Sequence, residues 1–166
     1  MNPRVTAIVV ARNGAARLER TLAALQAQTR RPDAVVLVDV ASRDATASML
    51  AAYPDALLVS ARREIPFREA VDAALGVVPP TESEWIWLLG QDTAPAPDAL
   101  AALLATTEVA ASIAIAGPKL LSWDEPDYVA RMASSVTRFG ASVRLIDDEL
   151  DQGQRCLLYT SDAADE

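Results

Sequence analysis

The chain has 166 residues, 51% of them hydrophobic, and a formal net charge of −8 at pH 7. This length suffices for one domain with a sizeable core, and the acidic balance argues against nucleic acid as a partner, because that binding needs a basic face. His is absent and Cys156 is the single Cys, which excludes Ser-His-Asp catalysis, an internal disulfide and zinc sites built from His or clustered Cys. The sequence contains no apolar run of about 18 residues, the length that a membrane-spanning helix needs. Carboxylates, Arg, Lys, hydroxyls and backbone groups must therefore carry any chemistry.

The predicted elements alternate between strand and helix along the chain. The β-branched, apolar residues 5–11 predict a buried first strand. Asn13-Gly14 then supplies a turn, and leucines at helical spacing predict a helix over 15–29. By the same criteria, further strands are predicted at 34–40, 56–60, 85–89 and 112–117, and further helices at 44–53, 66–75 and 98–106. The alternation predicts an α/β fold with a Rossmann-like, mainly parallel sheet and helices on both faces.

Polar residues follow the predicted strands at the points where they end. Asn13 follows the first strand, Asp39 closes the second, Asp92 follows the fourth and Lys119 follows the fifth. In such a sheet, ligands bind beyond the carboxyl ends of the strands, so we expect these side chains to converge on one rim. A carboxylate there can accept from a sugar or base, or hold Mg²⁺ or Mn²⁺ against substrate phosphates. The pattern predicts a phosphate-bearing ligand, with a metal bridging it to an acidic rim.

Each of these residues also has a purely structural explanation. Asp92 also fits a turn before the following Ala and Pro residues, although Asp39 on the same rim favours a functional role, and Asp39 can cap the next helix. Asn13 can cap the first helix while lining the pocket, and Lys119 is either a phosphate contact or an exposed charge. Ser42 and Asp44 occupy the predicted N-cap and first turn of the second helix. The arginines at 62–63 and the acid-rich stretch 147–154 fit a solvated surface.

Three segments, taken in order, resemble the front half of a family 2 glycosyltransferase with the GT-A fold. They are VTAIVVARNGAARLERTLAALQAQT, VVLVDVASRDAT and WIWLLGQDTAPAPDAL. The resemblance runs from about Val5 to Lys119, and more loosely to Gln154, and is closest to members that transfer rhamnosyl or galactofuranosyl units in bacterial envelope polymers. It implies a nucleotide-sugar donor, a glycan or lipid-linked acceptor, and action in the cytoplasm, or at the cytoplasmic face of a membrane reached through downstream segments.

The resemblance also implies roles for the residues that follow the first two strands. The loop that contains Ala11 and Asn13 would line the nucleotide pocket. Asp39 occupies the position of the Asp in the family's VD-x-x-S-x-D pattern and would contact the base. Ser42, with Asp44, would shape the start of the following helix and so complete this side of the nucleotide-sugar site.

The fourth strand ends in Gly-Gln-Asp, where the family has an Asp-x-Asp motif that binds metal and diphosphate. Asp92 would be the last acid of that motif, and Gln91 its middle residue, whereas Gly90 replaces the first acid. One carboxylate of the motif remains. A divalent cation, Mn²⁺ or Mg²⁺, is therefore expected at Asp92, but the loss of the first acid weakens the expectation that the protein depends on this metal. The family's catalytic base, an acid that deprotonates the acceptor hydroxyl, is not found before Arg155.

The C-terminal part of the chain gives two further predictions. Residues 134–146 predict a hairpin about Phe139-Gly140. The last eleven residues, CLLYTSDAADE, resemble the translation of a transposase sequencing adapter, so 156–166 are expected to be a non-native or disordered tail. Residues 1–155 would then be the N-terminal portion of a truncated GT-A domain, and this isolated piece is expected to be inactive.

Other functions remain as alternatives on the same α/β fold. A phospho-acceptor receiver domain needs an acidic pair after the first strand, where residues 11–13 are Ala-Arg-Asn, and an Asp at the end of the third strand, which ends on Ser60-Ala61. A dinucleotide-binding dehydrogenase is disfavoured because no Gly-x-Gly-x-x-Gly follows the first strand. A nucleotide-binding module without transferase activity is the remaining alternative.

Overall fold

The structure is a computed structural model that describes residues 3–79, 81, 84–109, 113–136, 142–146, 149–151 and 158–160. It divides into two compact units, Met1–Leu100 and Ala101–Glu166. Among the described residues, no helix has both the length and the apolar character needed to cross a membrane.

The first unit is built on a four-stranded parallel sheet. Its strands are β1 (Arg4–Ala11), β2 (Ala34–Val40), β3 (Leu57–Ala61) and β4 (Glu84–Gly90), arranged in the order β3-β2-β1-β4. The helices are α1 (Ala15–Gln26), α2 (Thr46–Ala51), α3 (Phe67–Leu75) and α4 (Ala99–Thr107), the last of which begins at the end of this unit. The chain moves outward from β1 to β3 and then crosses back to place β4 on the other side of β1. The topology therefore switches direction between β1 and β4.

The core consists of two apolar layers, one on each face of the sheet. Successive side chains of a strand point to opposite faces, and β1 is buried from Val5 to Ala11. Ala7 and Val9 pack with leucines of α1 and α2, whereas Ile8 and Val10 pack with Ala70 and Ala74 of α3. This arrangement confirms the predicted α/β fold with helices on both faces, and it explains why β1 has the unbroken apolar sequence typical of a central parallel strand.

Two helices are shorter than their apolar spacing predicts. Helix α1 ends at Gln26 instead of continuing to position 29, and there the N–H of Thr29 donates to the carbonyl of Pro97 at 2.7 Å. Helix α2 spans six residues, Thr46–Ala51, instead of the predicted 44–53. Beyond Gln26 the chain thus bonds another loop, whereas at the two ends of α2 the Asp44 side chain accepts from the N–H of Ala15 and the N–H of Tyr53 donates to the carbonyl of Leu50.

The second unit is mainly antiparallel in the described residues. Strand β7 (Tyr128–Val136) pairs with β6 (Leu120–Leu121), β8 (Ser142–Ile146) and β9 (Glu149–Leu150). The pairing of β7 with β8 confirms the predicted hairpin, whose turn at Phe139-Gly140 lies outside the described residues. The fifth predicted strand forms as β5 (Ile113–Ala116), but its partner is β10 (Leu158–Thr160) and the two are antiparallel. The non-native origin of the last eleven residues, which include β10, stays a prediction.

Gln28 links α1 to the segment that leads into α4. Its side chain is 4% exposed, and its amide nitrogen donates to the carbonyls of Ala24 and Ala96 at 3.1 and 2.7 Å. Its amide oxygen accepts from the N–H of Leu100 at 3.1 Å. Because burial excludes water from these groups, each needs its partner.

We expect Gln28→Leu to lower the free energy of unfolding by about 2–3 kcal/mol, since it leaves the N–H of Leu100 and the carbonyl of Ala96 without their hydrogen-bond partner. The matched control is Gln26→Leu, which makes the same substitution at the exposed last residue of α1, two positions before Gln28. Urea unfolding of both variants measures the difference. Equal effects of the two substitutions would contradict this role for Gln28.

Candidate functional site

The candidate site lies where the four parallel strands of the first unit end. The loops that leave the strands here are 12–14 after β1, 41–45 after β2, 62–66 after β3 and 91–98 after β4. The structure brings the six residues predicted for nucleotide-sugar binding to the ends of β1, β2 and β4. They are Ala11, Asn13, Asp39, Ser42, Gln91 and Asp92. They therefore surround the point at which the topology switches, the position where ligands bind in open α/β sheets.

The loop after β1 is fixed by four successive backbone N–H groups. Each N–H of residues 12–15 donates to a side chain of a neighbouring loop or of the first residue of α2. The acceptors, in chain order, are Gln91 Oε1 at 2.6 Å, Ser42 Oγ at 3.0 Å, Thr46 Oγ1 at 2.8 Å and Asp44 Oδ2 at 3.1 Å. The loops after β2 and β4 thus hold the loop after β1, which lies between them. The N–H groups at the start of α1, which bind phosphate directly in many nucleotide sites, already have acceptors within the protein.

Asn13 and Ala41 adopt backbone conformations that L-residues seldom take. Their φ angles are 47° and 51°, in the left-handed region, which costs a residue with a Cβ about 1–2 kcal/mol. Asn13 is held there because its Oδ1 accepts from the N–H of Arg43 at 2.8 Å. Such strain persists where the surrounding contacts impose it, and it is common at binding sites. Here both residues border the switch point.

Asp39 lies at the end of β2, beside Ala11 on one side and Ser60 on the other. The residue is half-buried, and its Oδ1 accepts from the N–H of Ser42 at 3.3 Å. This contact closes the turn after β2 and fixes the carboxylate at the rim. Asp39 therefore lies where a ligand-contacting acid was predicted, and it also stabilises the turn.

The predicted N-cap role of Ser42 is wrong. Helix α2 begins at Thr46, its N-cap residue is Ala45, and no side chain caps it from that position. The Ser42 hydroxyl instead accepts from the loop after β1. Asp44 precedes the helix, so it is not a first-turn acid; its Oδ1 accepts from the N–H of Thr46 at 3.0 Å. Hydrogen bonds from the Thr46 side chain, then from the Thr46 and Ala15 backbone, hold the pKa of Asp44 below its usual value.

Gln91 connects the loop after β4 with both the start and the middle of α1. Its carbonyl accepts from the buried Thr21 hydroxyl at 2.8 Å, and its side chain occupies the space above Gly14. A Cβ at position 14 would lie 2.4 Å from Gln91 Oε1. The absence of a side chain at Gly14 therefore lets the Gln91 amide reach the N–H of Arg12. Gln91 was predicted as a nucleotide contact, and the structure gives it a positioning contact.

Asp92 lies beside Arg17, a residue that the sequence reasoning missed. Arg17 Nη1 is 4.0 Å from Asp92 Oδ2, and the two side chains are 63% and 54% exposed. A Cβ on Gly90 would lie 3.1 Å from Asp92 Oδ1, so a larger residue at position 90 would crowd this carboxylate. The signal available in the sequence was an arginine in the first turn of a helix that opens at the switch point.

The residues around Asp92 could hold a divalent cation only if phosphate oxygens supplied further ligands to it. Gly90 offers no ligand, and no group of three His, Cys, Asp or Glu suited to a metal occurs in the part of the chain that the structure describes. Mg²⁺ is commonly held by one or two protein carboxylates, with phosphates and waters completing its shell. Asp92 would supply the protein's carboxylate to such an ion.

A second arginine, Arg12, is fixed at the rim by a bidentate ion pair. Its Nη1 and Nη2 donate to Glu64 Oε1 and Oε2, both at 2.6 Å. Because Arg12 follows β1 and Glu64 follows β3, the pair spans the end of β2. Lys119 belongs to the second unit, where its Nζ bonds Asp151 Oδ2 at 2.5 Å. The arginines at 62–63 are exposed, as expected for a solvated pair.

The strand order places this chain in the class of Rossmann-like α/β domains, a class that binds ligands at the switch point. Residues 3–159 match the family model described as "Glycosyltransferase like family 2". The chain therefore belongs to this glycosyltransferase-like family. A comparison with curated proteins found no significant match.

Solved structures share the fold. A mannosyltransferase from Pyrobaculum calidifontis, in complex with GDP-Man and Mn²⁺, is 29% identical with a TM-score of 0.63, and the match covers 74% of this chain and 36% of that one. S. aureus TarS 1–349 is 16% identical with a TM-score of 0.54, covering 71% and 42%. A 4-diphosphocytidyl-2C-methyl-D-erythritol synthase is 17% identical with a TM-score of 0.54, covering 95% and 73%. The last two show the fold alone. This chain spans less than half the length of the first two structures.

We expect Gly14→Ala to displace the Gln91 amide from the N–H of Arg12, because the new Cβ and Oε1 cannot share the same space. A double-mutant cycle with Gln91→Ala isolates this coupling. The predicted coupling energy is about 1–2 kcal/mol in the free energy of unfolding, so that Gly14→Ala costs less when Gln91 is already truncated. Additive effects in urea unfolding would contradict the contact.

Proposed function

We propose that the first unit binds a nucleotide-diphosphate sugar, and that the whole protein transfers the sugar to a glycan or lipid-linked acceptor. The observation that carries this proposal is the placement of Asp39 and Asp92. They lie at the ends of β2 and β4, the two neighbours of β1, on either side of the switch point. A nucleotide that spans this point would have its base near one carboxylate and its diphosphate near the other.

Each residue of the rim has a role in this arrangement. Ala11, whose side chain is buried in the core, leads into the loop that lines the pocket with Asn13. Asp39 accepts a hydrogen bond from the base through the carboxylate oxygen that Ser42 does not use. Ser42 and Gln91 act as positioning residues, since they hold the loop after β1. Asp92 faces the diphosphate, the group that leaves with the nucleotide.

Departure of the diphosphate requires stabilisation of its developing negative charge. A divalent cation held by Asp92 would supply a Lewis acid at this position. On the inverting course expected for the family, the acceptor hydroxyl attacks the anomeric carbon, a carboxylate acting as general base takes its proton, and the bond from that carbon to the nucleoside diphosphate breaks. No residue of the described chain is assigned as that base, and we propose that the isolated chain binds a donor without turning it over.

The mannosyltransferase that is 29% identical to this chain over the matched region supports the donor assignment, since its structure contains GDP-Man and Mn²⁺. Transfer of rhamnosyl or galactofuranosyl units, and a location in the cytoplasm or at the cytoplasmic face of a membrane, remain finer proposals. The receiver alternative gains no support, since β3 is Leu57–Ala61 and ends without an Asp. A nucleotide-binding module without transferase activity would share the same donor site.

Calorimetric titration of UDP, dTDP and GDP into the 166-residue chain, with and without Mn²⁺, tests the proposal. We expect one nucleotide to bind saturably, and Asp39→Asn to weaken it about 10- to 100-fold, as the loss of a hydrogen bond to a charged group implies. The control is Asp72→Asn, which removes the same charge from an exposed residue of α3. Absence of binding to every nucleotide by the folded chain would contradict the proposal. Equal loss in both variants would contradict the role of Asp39.

A further inference from the structure

We propose that Arg17 binds the diphosphate of the donor, so that a substantial part of nucleotide binding needs no divalent cation. This inference rests on the proposed function and adds to it a residue from outside the predicted motif. Arg17 lies in the first turn of α1, with its Nη1 4.0 Å from Asp92 Oδ2. A guanidinium is thus already next to the carboxylate that faces the diphosphate.

The position of Arg17 is unfavourable for the helix that carries it. The N-terminus of a helix bears a partial positive charge and is stabilised by acids, whereas a cation there is repelled. The first turn of α1 contains no acidic residue, and Arg17 adds a positive charge to it. Helix stability therefore does not explain this arginine. An anion bound at the switch point would be attracted by the guanidinium and by the helix dipole together.

The two arginines of the rim differ in how firmly they are held. Arg12 makes two bonds of 2.6 Å with Glu64 and is committed to that pair. Arg17 has one contact with Asp92 at the outer limit of an ion pair, and its side chain is 63% exposed. Exposed pairs of this kind contribute little to stability. Arg17 can therefore turn from Asp92 to a phosphate at low cost.

Two other sources of diphosphate binding are reduced in this chain. The backbone N–H groups of 12–15 donate to Gln91, Ser42, Thr46 and Asp44. The first acid of the metal motif is replaced by Gly90, which leaves fewer ligands for a cation. A guanidinium fork matches two phosphate oxygens and is always charged. Arg17 would contact the diphosphate and Asp92 would contact a cation, so the two modes of binding use different side chains and are compatible.

The test uses Arg17→Met in the full chain and two probes, inorganic pyrophosphate and the nucleoside diphosphate that binds the unmodified chain. In EDTA, we expect affinity for both to fall about 10- to 100-fold, the loss implied by removing a charge-assisted bond. Affinity of Arg17→Met for the nucleoside, which lacks phosphate, should stay within about twofold of that of the unmodified chain, because contacts with the base do not involve Arg17. Arg17→Lys keeps the charge without the fork and should recover part of the loss.

The control is Arg20→Met, an exposed arginine of the same helix that lies one turn further on. An equal loss in both variants, or a matching loss of nucleoside affinity, would overturn the inference. The inference would also be overturned if the unmodified chain bound the nucleoside diphosphate in Mn²⁺ but not in EDTA. If pyrophosphate binds through Arg17 and no nucleotide binds, the proposed function fails, and with it the assignment of Arg17 to a donor, although Arg17 would still be a diphosphate-binding residue. If neither probe binds the folded chain, both fail.

Discussion

Four successive N–H groups open α1 at the switch point of the sheet, and the rest of the rim depends on their need for acceptors. The acceptors come from the loops after β2 and β4, the two strands that flank β1, and from the first residue of α2. Gly14 is part of the same arrangement, because only a residue without a side chain leaves room for the Gln91 amide. The hydrogen bonds that hold the strand ends in register therefore also determine which side chains are left to meet a ligand.

Those remaining side chains form two ion pairs at different places on the rim. Arg12 and Glu64 neutralise each other across the end of β2, close to the half-buried Asp39. Arg17 and Asp92 lie near the end of β4, loosely paired and more than half exposed. A charged ligand can compete for the second pair more readily than for the first, because the first has two short bonds to lose. This difference supports the proposed placement of the diphosphate near Asp92 and of the base near Asp39.

Much of the fold could be predicted because it depends on local pattern. Apolar strands that alternate with amphipathic helices imply a parallel sheet, and the ends of those strands placed Asp39 and Asp92 on the rim. Contacts between distant loops carry no such pattern. The partner of Ser42 is 29 residues away and that of Gln91 is 79 residues away, so neither bond could be inferred from spacing. Arg17 was missed because a helical arginine usually belongs to a solvated face. Only its proximity to Asp92 in the structure indicates a role at the site.

Mapping of backbone amide chemical shifts during titration with a nucleoside diphosphate tests most directly whether this rim is a nucleotide site. The account predicts that the shifted amides cluster in residues 12–15, around Ser42, and at Gln91 and Asp92. The amino ends of the strands, including Val5 and Trp85, should be unaffected, because they lie at the opposite edge of the sheet. Shifts concentrated at those amino ends, or on the exposed face of α3, would contradict the assignment of the site.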